Sequence, residues 1–299
     1  MPTLQLYFLG PLDIHCGDRE LSKLPTLKSQ SLLAYLVLHR DRPQPRERLA
    51  GMFWGDRPER KARRSLTTAL WHIRRCLPDE TLILSDSHTV QFDPQADVWL
   101  DVEAFESLAA HDDLARLESA AGLYRGDFLD GFYDDWIITL RYRLETVFCD
   151  VLARLMFAQE AAGDQEATLS TALRLLDRDP LREVAHRLAM RALCRLGQRG
   201  AALEQYRRCQ ETVQREVSAE PMVETTELYR AILEGRFEIG QPVVGIPAVA
   251  AEEPPPLPSG YDPLEAPGRS PLVGREPEMA FLKDCYREAQ EGQGGVCLL

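Results

Sequence analysis

The sequence predicts a mainly α-helical protein with a small β component, built as a strand-containing head followed by a long run of helices. Three observations carry this expectation. Runs in which apolar and polar residues alternate gather near the N-terminus, at Leu4 to Phe8 (LQLYF), Leu12 to His15 (LDIH) and Thr81 to Pro94. From Asp101 to about Glu238, apolar residues recur at helical spacing. Within that run the helix breakers Gly163 and Gly197 stand 34 residues apart, a period that points to stacked helical hairpins.

Taken in order, the first two runs with Gly10-Pro11 between them predict strand, turn, strand, with another short strand around Leu21. LKSQSLLAYLVLHRD, Leu27 to Asp41, places Leu32, Leu33, Leu36 and Val37 on one helical face, and Pro43 is expected to end that helix. QPRERLAGMFW, Gln44 to Trp54, predicts a short helix with Leu49, Met52 and Phe53 inward, broken at Gly55-Asp56. A third helix starts at Glu59 and is stopped by Pro78. Its residues Ala62, Leu66, Ala69, Leu70, Ile73 and Leu77 fall within one arc at 100° per residue and predict a buried stripe. TLILSDSHTVQFDP then predicts a β-hairpin turning at Asp86-Ser87-His88.

The third helix concentrates charge. The chain is acidic, with a formal net charge of −12, yet the first hundred residues hold 14 Lys+Arg against 12 Asp+Glu. The outer arc of the helix carries Arg60, Arg64, Thr67, Thr68, Trp71 and Arg75, flanked by Lys61, Arg63, His72 and Arg74. Strands, three helices and a hairpin, with the third helix basic, are the layout of a winged helix. A helix fits the DNA major groove, where arginine reads guanine or clamps phosphate and threonine bonds phosphate or packs a thymine methyl. The competing reading is a solvated face, the ordinary fate of a Lys/Arg-rich surface. The outward Trp71 and the surrounding elements favour DNA contact.

Beyond Asp101 the expected helices run from Gly163 to Asp179-Pro180, from Leu181 to Leu196, from Ala201 to Val217 and, past Glu220-Pro221, through Leu233. Leu169, Ala172, Leu175, Leu176 and Pro180 fit one tetratricopeptide-like unit. Ala202, Leu203 and Tyr206 fit the next, with Pro221 arriving about seven residues late. A plain helical bundle is the alternative. Residues 239–271 hold nine of the 20 prolines and read as an extended linker. In residues 272–299, Phe281, Leu282, Cys285 and Ala289 suggest a helix and Val296 to Leu299 a strand.

Three segments resemble a known family. LQLYFLGPLDIHCGDREL, SLLAYLVLHRDRPQPRERLAGMFWGD, and ARRSLTTALWHIRRCLPDE with the VQFDP hairpin look like the OmpR-type winged helix of the Streptomyces antibiotic regulatory protein family, the fold also used in phosphorelay regulators. LYRGDFLDGFYDDWIITLRYRLETVF and the repeats after it resemble that family's bacterial transcriptional activator domain. LVGRE, Leu272 to Glu276, is similar to the entry of STAND-type ATPase modules. The resemblance divides the chain into residues 1–100, a winged-helix DNA-binding domain; 101–238, a TPR-like activator domain; 239–271, a Pro-rich linker; and 272–299, the start of a truncated ATPase module.

The family implies a sequence-specific transcriptional activator that binds promoter repeats and contacts RNA polymerase. Its partners would be double-stranded promoter DNA, RNA polymerase and a second copy in a homodimer, with no membrane partner, in the cytoplasm at the nucleoid. By position, Arg60, Lys61, Arg63, Arg64, Thr67, Thr68, Trp71 and Arg75 would lie on the recognition helix and Ser87, His88 and Thr89 at the wing tip. Lys28 and Arg46, near helix starts, would meet phosphates. The other reading is a TPR-like interaction scaffold whose winged helix is a docking or dimerisation module. The net −14 beyond residue 100 would suit basic partners there.

Other chemistries find little support. The seven cysteines are scattered without CxxC, and the six histidines form no HExxH or HxxxH pair, so neither a disulfide framework nor a metal is expected. Reduced thiols in a cytosolic protein fit better. No catalytic grouping emerges from spacing, and the carboxylate pairs Asp134-Asp135 and Glu252-Glu253 are adjacent residues that do not converge on one substrate. No enzyme activity is expected. The sequence stops before a phosphate loop, so no nucleotide cofactor is expected unless the chain continues into a complete ATPase module. A fragment and a truncated gene product fit equally. No segment approaches the ~18 apolar residues of a membrane span. The N-terminus lacks a basic leader and reads as strand rather than signal peptide.

Overall fold

The computed structural model describes residues 4–17, 19–21 and 24–237. The Pro-rich stretch and the expected helix and strand beyond it lie outside the described residues. The head begins with β1 (Leu4–Tyr7), β2 (Asp13–Cys16) and β3 (Arg19–Glu20), followed by α1 (Leu27–Leu38), β4 (Gln44–Pro45), α2 (Arg46–Trp54) and α3 (Glu59–Cys76). The hairpin β5 (Ile83–Ser85) and β6 (Thr89–Phe92) comes next, then β7 (Val98–Leu100). One sheet has the order β3-β2-β1-β7 and the other β4-β6-β5. This is a winged helix.

The burial of α3 follows from its sequence. All six residues of the expected stripe are buried, from Ile73 at 0% exposure to Leu77 at 6%. Burying each large one contributes about 1.5–3 kcal/mol. The helix ends where Leu77 turns extended, at φ −71° and ψ 152°, because the ring of Pro78 crowds the helical conformation of the residue before it. Helix α1 is capped by Thr26, whose side chain accepts the Ser29 amide.

Three expectations need correction. Helix α1 stops at Leu38, well before Pro43: His39 leaves the helical backbone at φ −113° and ψ 31°, with its ring Nδ1 against the Tyr35 carbonyl at 2.9 Å. The second helix starts at Arg46, since Gln44 and Pro45 pair with Val90 and Thr89 as a strand. Met52 faces solvent at 37% exposure while Leu49 and Phe53 are buried. In a helix of nine residues an apolar side chain on the edge of the stripe is free to turn outward. The strand β7, which pairs parallel with β1, was not expected at all.

The remaining helices are α4 (Asp101–Ala109), α5 (Leu114–Leu123), α6 (Asp135–Ala162), α7 (Gln165–Leu176), α8 (Glu183–Arg195), α9 (Arg199–Val217) and α10 (Val223–Leu233). From α6 onward each packs on the next as stacked hairpins. Gly163 and Gly197 end α6 and follow α8 with φ of 80° and 76°, the left-handed conformation that glycine adopts without a Cβ clash. Ala172, Leu175, Ala202 and Tyr206 are buried at the positions the repeat pattern assigns them.

The winged helix and the helices beyond it pack as one compact unit. Asp101, fully buried at the start of α4, accepts the amides of Phe8 and Leu9 at 2.8–2.9 Å. The Leu129 amide donates to the Phe8 carbonyl at 2.7 Å, and Tyr35 meets Trp136 edge-on at 5.3 Å. Arg40 clamps Glu103 with two bonds of 2.8 Å. These contacts join the N-terminal strands and α1 to the helical region.

Candidate nucleic-acid interface

Helix α3 presents its basic face to solvent between two grooves. One groove, of about 560 Å³, runs along the α1 start and the α2 end and is lined by Thr26, Lys28, Ser29, Arg57, Lys61, Arg64, Ser65 and Thr68, with Trp54, Ala69 and His72. The other, of about 370 Å³, lies toward the hairpin and is lined by Pro45, Arg46, Glu47, Arg63, Leu66, Thr67, Ser87 and His88. Most of the residues singled out from sequence therefore meet on one surface.

Their states differ. The side chains of Arg60, Lys61 and Arg64 are exposed and make no hydrogen bond or ion pair among the described residues. Arg63 is exposed but held between Glu47 at 2.8 Å and Glu59 at 2.5 Å, so its charge is largely answered within the protein. The Thr67 and Thr68 hydroxyls donate to the carbonyls of Arg63 and Arg64 at 3.0 and 3.1 Å. With those protons committed, the two threonines offer methyl groups and acceptor lone pairs. Trp71 is 52% exposed, with the Arg75 guanidinium 5.0 Å from its ring centre. That cation–π contact orients Arg75 along the outer face.

The hairpin is tied to α3. Arg74 donates to the Ile83 carbonyl at 3.1 Å and the Ser85 hydroxyl at 2.5 Å, which removes it from the outer face. At the tip Asp86 accepts the His88 and Thr89 amides at 2.7 Å, and these amides hold its carboxyl below the usual range. Thr89 opens β6, so Ser87 and His88 form the tip proper. The Arg46 amide donates to the His88 carbonyl at 2.8 Å, and its guanidinium reaches the Thr67 hydroxyl at 3.4 Å. Lys28 pairs with Asp134 at 2.6 Å.

Arg57 and Ser65 were missed from sequence, although Arg57 donates to Ser65 at 3.0 Å on the wall of the larger groove. Arg57 precedes Pro58 and lies off the helix, so a helical wheel does not count it. Among the described residues no His, Cys, Asp or Glu group could hold a metal ion. No described helix is long and apolar enough to cross a membrane. Burial pushes the Cys209 thiol up to about 12, far from a reactive thiolate.

Comparison with known proteins decides what accompanies this surface. The family model of the bacterial transcriptional activator domain matches residues 100–233. Regulatory protein AfsR of Streptomyces griseus is 26% identical over 307 residues, an alignment covering 98% of this chain and 30% of that protein. Transcriptional regulatory protein MoaR1 of Mycobacterium tuberculosis is 26% identical over 250 residues, covering 77% of this chain and 79% of that one. This chain thus spans about a third of the length of AfsR and most of that of MoaR1. The solved structure of Mycobacterium tuberculosis EmbR in complex with a low affinity phosphopeptide superposes with a TM-score of 0.60 at 21% identity, over 79% of this chain and 66% of that one, a likeness of fold. The matched region begins at Leu100, the last residue of β7.

Proposed function

We propose that this chain is a sequence-specific DNA-binding transcriptional regulator that acts as an activator. Residues 1–100 would bind promoter DNA and residues 101–238 would contact RNA polymerase or a second copy of the chain. The observation that carries the reading is the outer face of α3. Three uncommitted cations, Arg60, Lys61 and Arg64, stand beside Thr67, Thr68 and Trp71, between two basic grooves. A duplex taking α3 into its major groove would lay one phosphate strand along Lys28, Arg57 and Lys61 and the other along Arg46 and the Ser87-His88 tip. Arg64 and Arg75 would reach base edges, and the Thr67 and Thr68 methyls would suit thymine. Thr89 and Arg63 would act by shaping the tip and the α2–α3 angle.

Footprinting of DNA upstream of its own and neighbouring genes, paired with run-off transcription by purified RNA polymerase, tests this. Protected repeats and increased transcript are expected. Absence of any protected site at protein concentrations that saturate non-specific DNA would overturn it.

A further inference from the structure

A second set of cations lies in the activator domain, unconnected to α3. Arg187, Arg191 and Arg195 follow one another at four-residue steps along α8, so they share one face of the helix, and all three are half-buried. Arg195 pairs with Glu160 of α6 at 2.9 Å, both side chains nearly enclosed at 11% and 7% exposure. Arg187 donates to the Thr225 hydroxyl of α10 at 3.0 Å, and that hydroxyl donates to Glu183 at 2.6 Å. Between them, the Arg191 side chain makes no hydrogen bond or ion pair among the described residues, although its Nε and Nη1 atoms are buried.

The neighbouring carboxylates are already engaged. Glu160 serves Arg195, and Glu183 accepts both the Met222 amide and Thr225. Burial pushes the Arg191 guanidinium down from its ordinary range; Glu160 opposes this, and Arg195 and Arg187 add to it. Arginine nonetheless stays charged in proteins. A half-buried guanidinium without its own anion is costly, and Nη2, which is not enclosed as Nε and Nη1 are, can donate to a carboxylate from outside.

We propose that the Arg187–Arg191–Arg195 row is a carboxylate-binding site that captures an acidic residue or a C-terminal carboxylate of a partner polypeptide. Residues 101–237 hold 25 Asp+Glu against 17 Arg and no Lys, so this domain repels a polyanion such as DNA. One or two carboxylates on an otherwise neutral segment escape that repulsion, and stacked helical hairpins present such faces to extended peptides.

Calorimetric titration of the full chain tests the site. The probes are a blocked nine-residue Ala peptide with one central Glu, its Gln counterpart, inorganic phosphate and duplex DNA. The Glu peptide is expected to bind at least about tenfold more tightly than the Gln peptide. Arg191→Met should weaken it by at least about tenfold and Arg191→Lys by less. The melting temperature of Arg191→Met should hold or rise, since an apolar chain replaces an unpartnered buried charge. Peptide binding unchanged in Arg191→Met overturns the proposal. So does binding lost in Arg64→Ala instead, which would place the peptide on α3. A fall in the Arg191→Met melting temperature of ~4 °C or more would mark the guanidinium as a structural group and overturn it too, as would capture of phosphate or DNA at Arg191 with the peptide ignored.

Discussion

Lys28 Nζ lies 2.6 Å from Asp134 Oδ1, joining the wall of the larger basic groove to the residue before α6. The other oxygen of Asp134 accepts the Ser31 hydroxyl at 2.6 Å. DNA phosphate would compete with Asp134 for this ammonium. Lys28 is 47% exposed, so the pair itself stabilises the protein by no more than about 1 kcal/mol. Asp134→Asn should therefore leave folding nearly intact. It should tighten DNA binding at low salt and steepen the salt dependence by about one phosphate contact, as read by anisotropy over a salt series.

Arg63 and Arg64 are neighbours with different roles. Arg64→Ala should cost about 1–3 kcal/mol of specific DNA affinity if its guanidinium meets a base. Arg63→Ala should cost less than half of that, because Glu47 and Glu59 already neutralise Arg63. Competition titrations with specific and scrambled duplexes separate the two. An Arg63 effect as large as that of Arg64 would mean the carboxylates release it on DNA.

Arg74 fixes the hairpin rather than the DNA. Its loss removes the bonds to Ile83 and Ser85 and lets β5 move relative to α3. Arg74→Ala should shorten the footprint on the hairpin side while central protection persists. Uniform loss of protection would assign Arg74 a direct role.

His186 gives the helical region a pH dependence. Its Nε2 faces the Pro180 carbonyl at 3.1 Å and its Nδ1 the Gln205 amide at 2.8 Å, a pairing that suits the neutral ring. Burial holds its pKa below the ordinary histidine value. The unfolded chain then binds the proton more readily. The stability from this group is full above the unfolded pKa, near 6.5, and is lost as pH falls through the lower folded value. Urea melts at pH 7.5 and 5 should show this loss, and the loss should be smaller in His186→Gln.

Much of this architecture was legible in the residues, for a physical reason. The α3 stripe repeats at the helical period from Ala62 to Leu77, so burial and sequence agree at each of its positions. Gly163 and Gly197 mark helix ends because only the left-handed backbone fits there. What escaped was long-range or very short. The strand β7 has three residues, and its partner β1 lies over 90 residues away in the chain. Lys28 and Asp134 are separated by 106 positions, and no local pattern announces their pairing. The carboxylates that engage Arg63 and the bonds that withdraw Arg74 depend on how α2 and the hairpin pack. A helical wheel counts both arginines as outward charge, and packing assigns them to the protein itself.

The central claim is that the uncommitted cations of α3 read DNA. The most direct test is a fluorescence-anisotropy titration of the full chain, wild type and Arg64→Ala, against upstream DNA with excess non-specific competitor at 50 and 200 mM salt. With on the order of six phosphate contacts, wild-type affinity should fall roughly 10³-fold between those salts. Arg64→Ala should lose about tenfold or more on the specific duplex and little on the competitor. Binding that ignores salt, or that the substitution leaves untouched, would contradict the account and move function to the helical region and a protein partner.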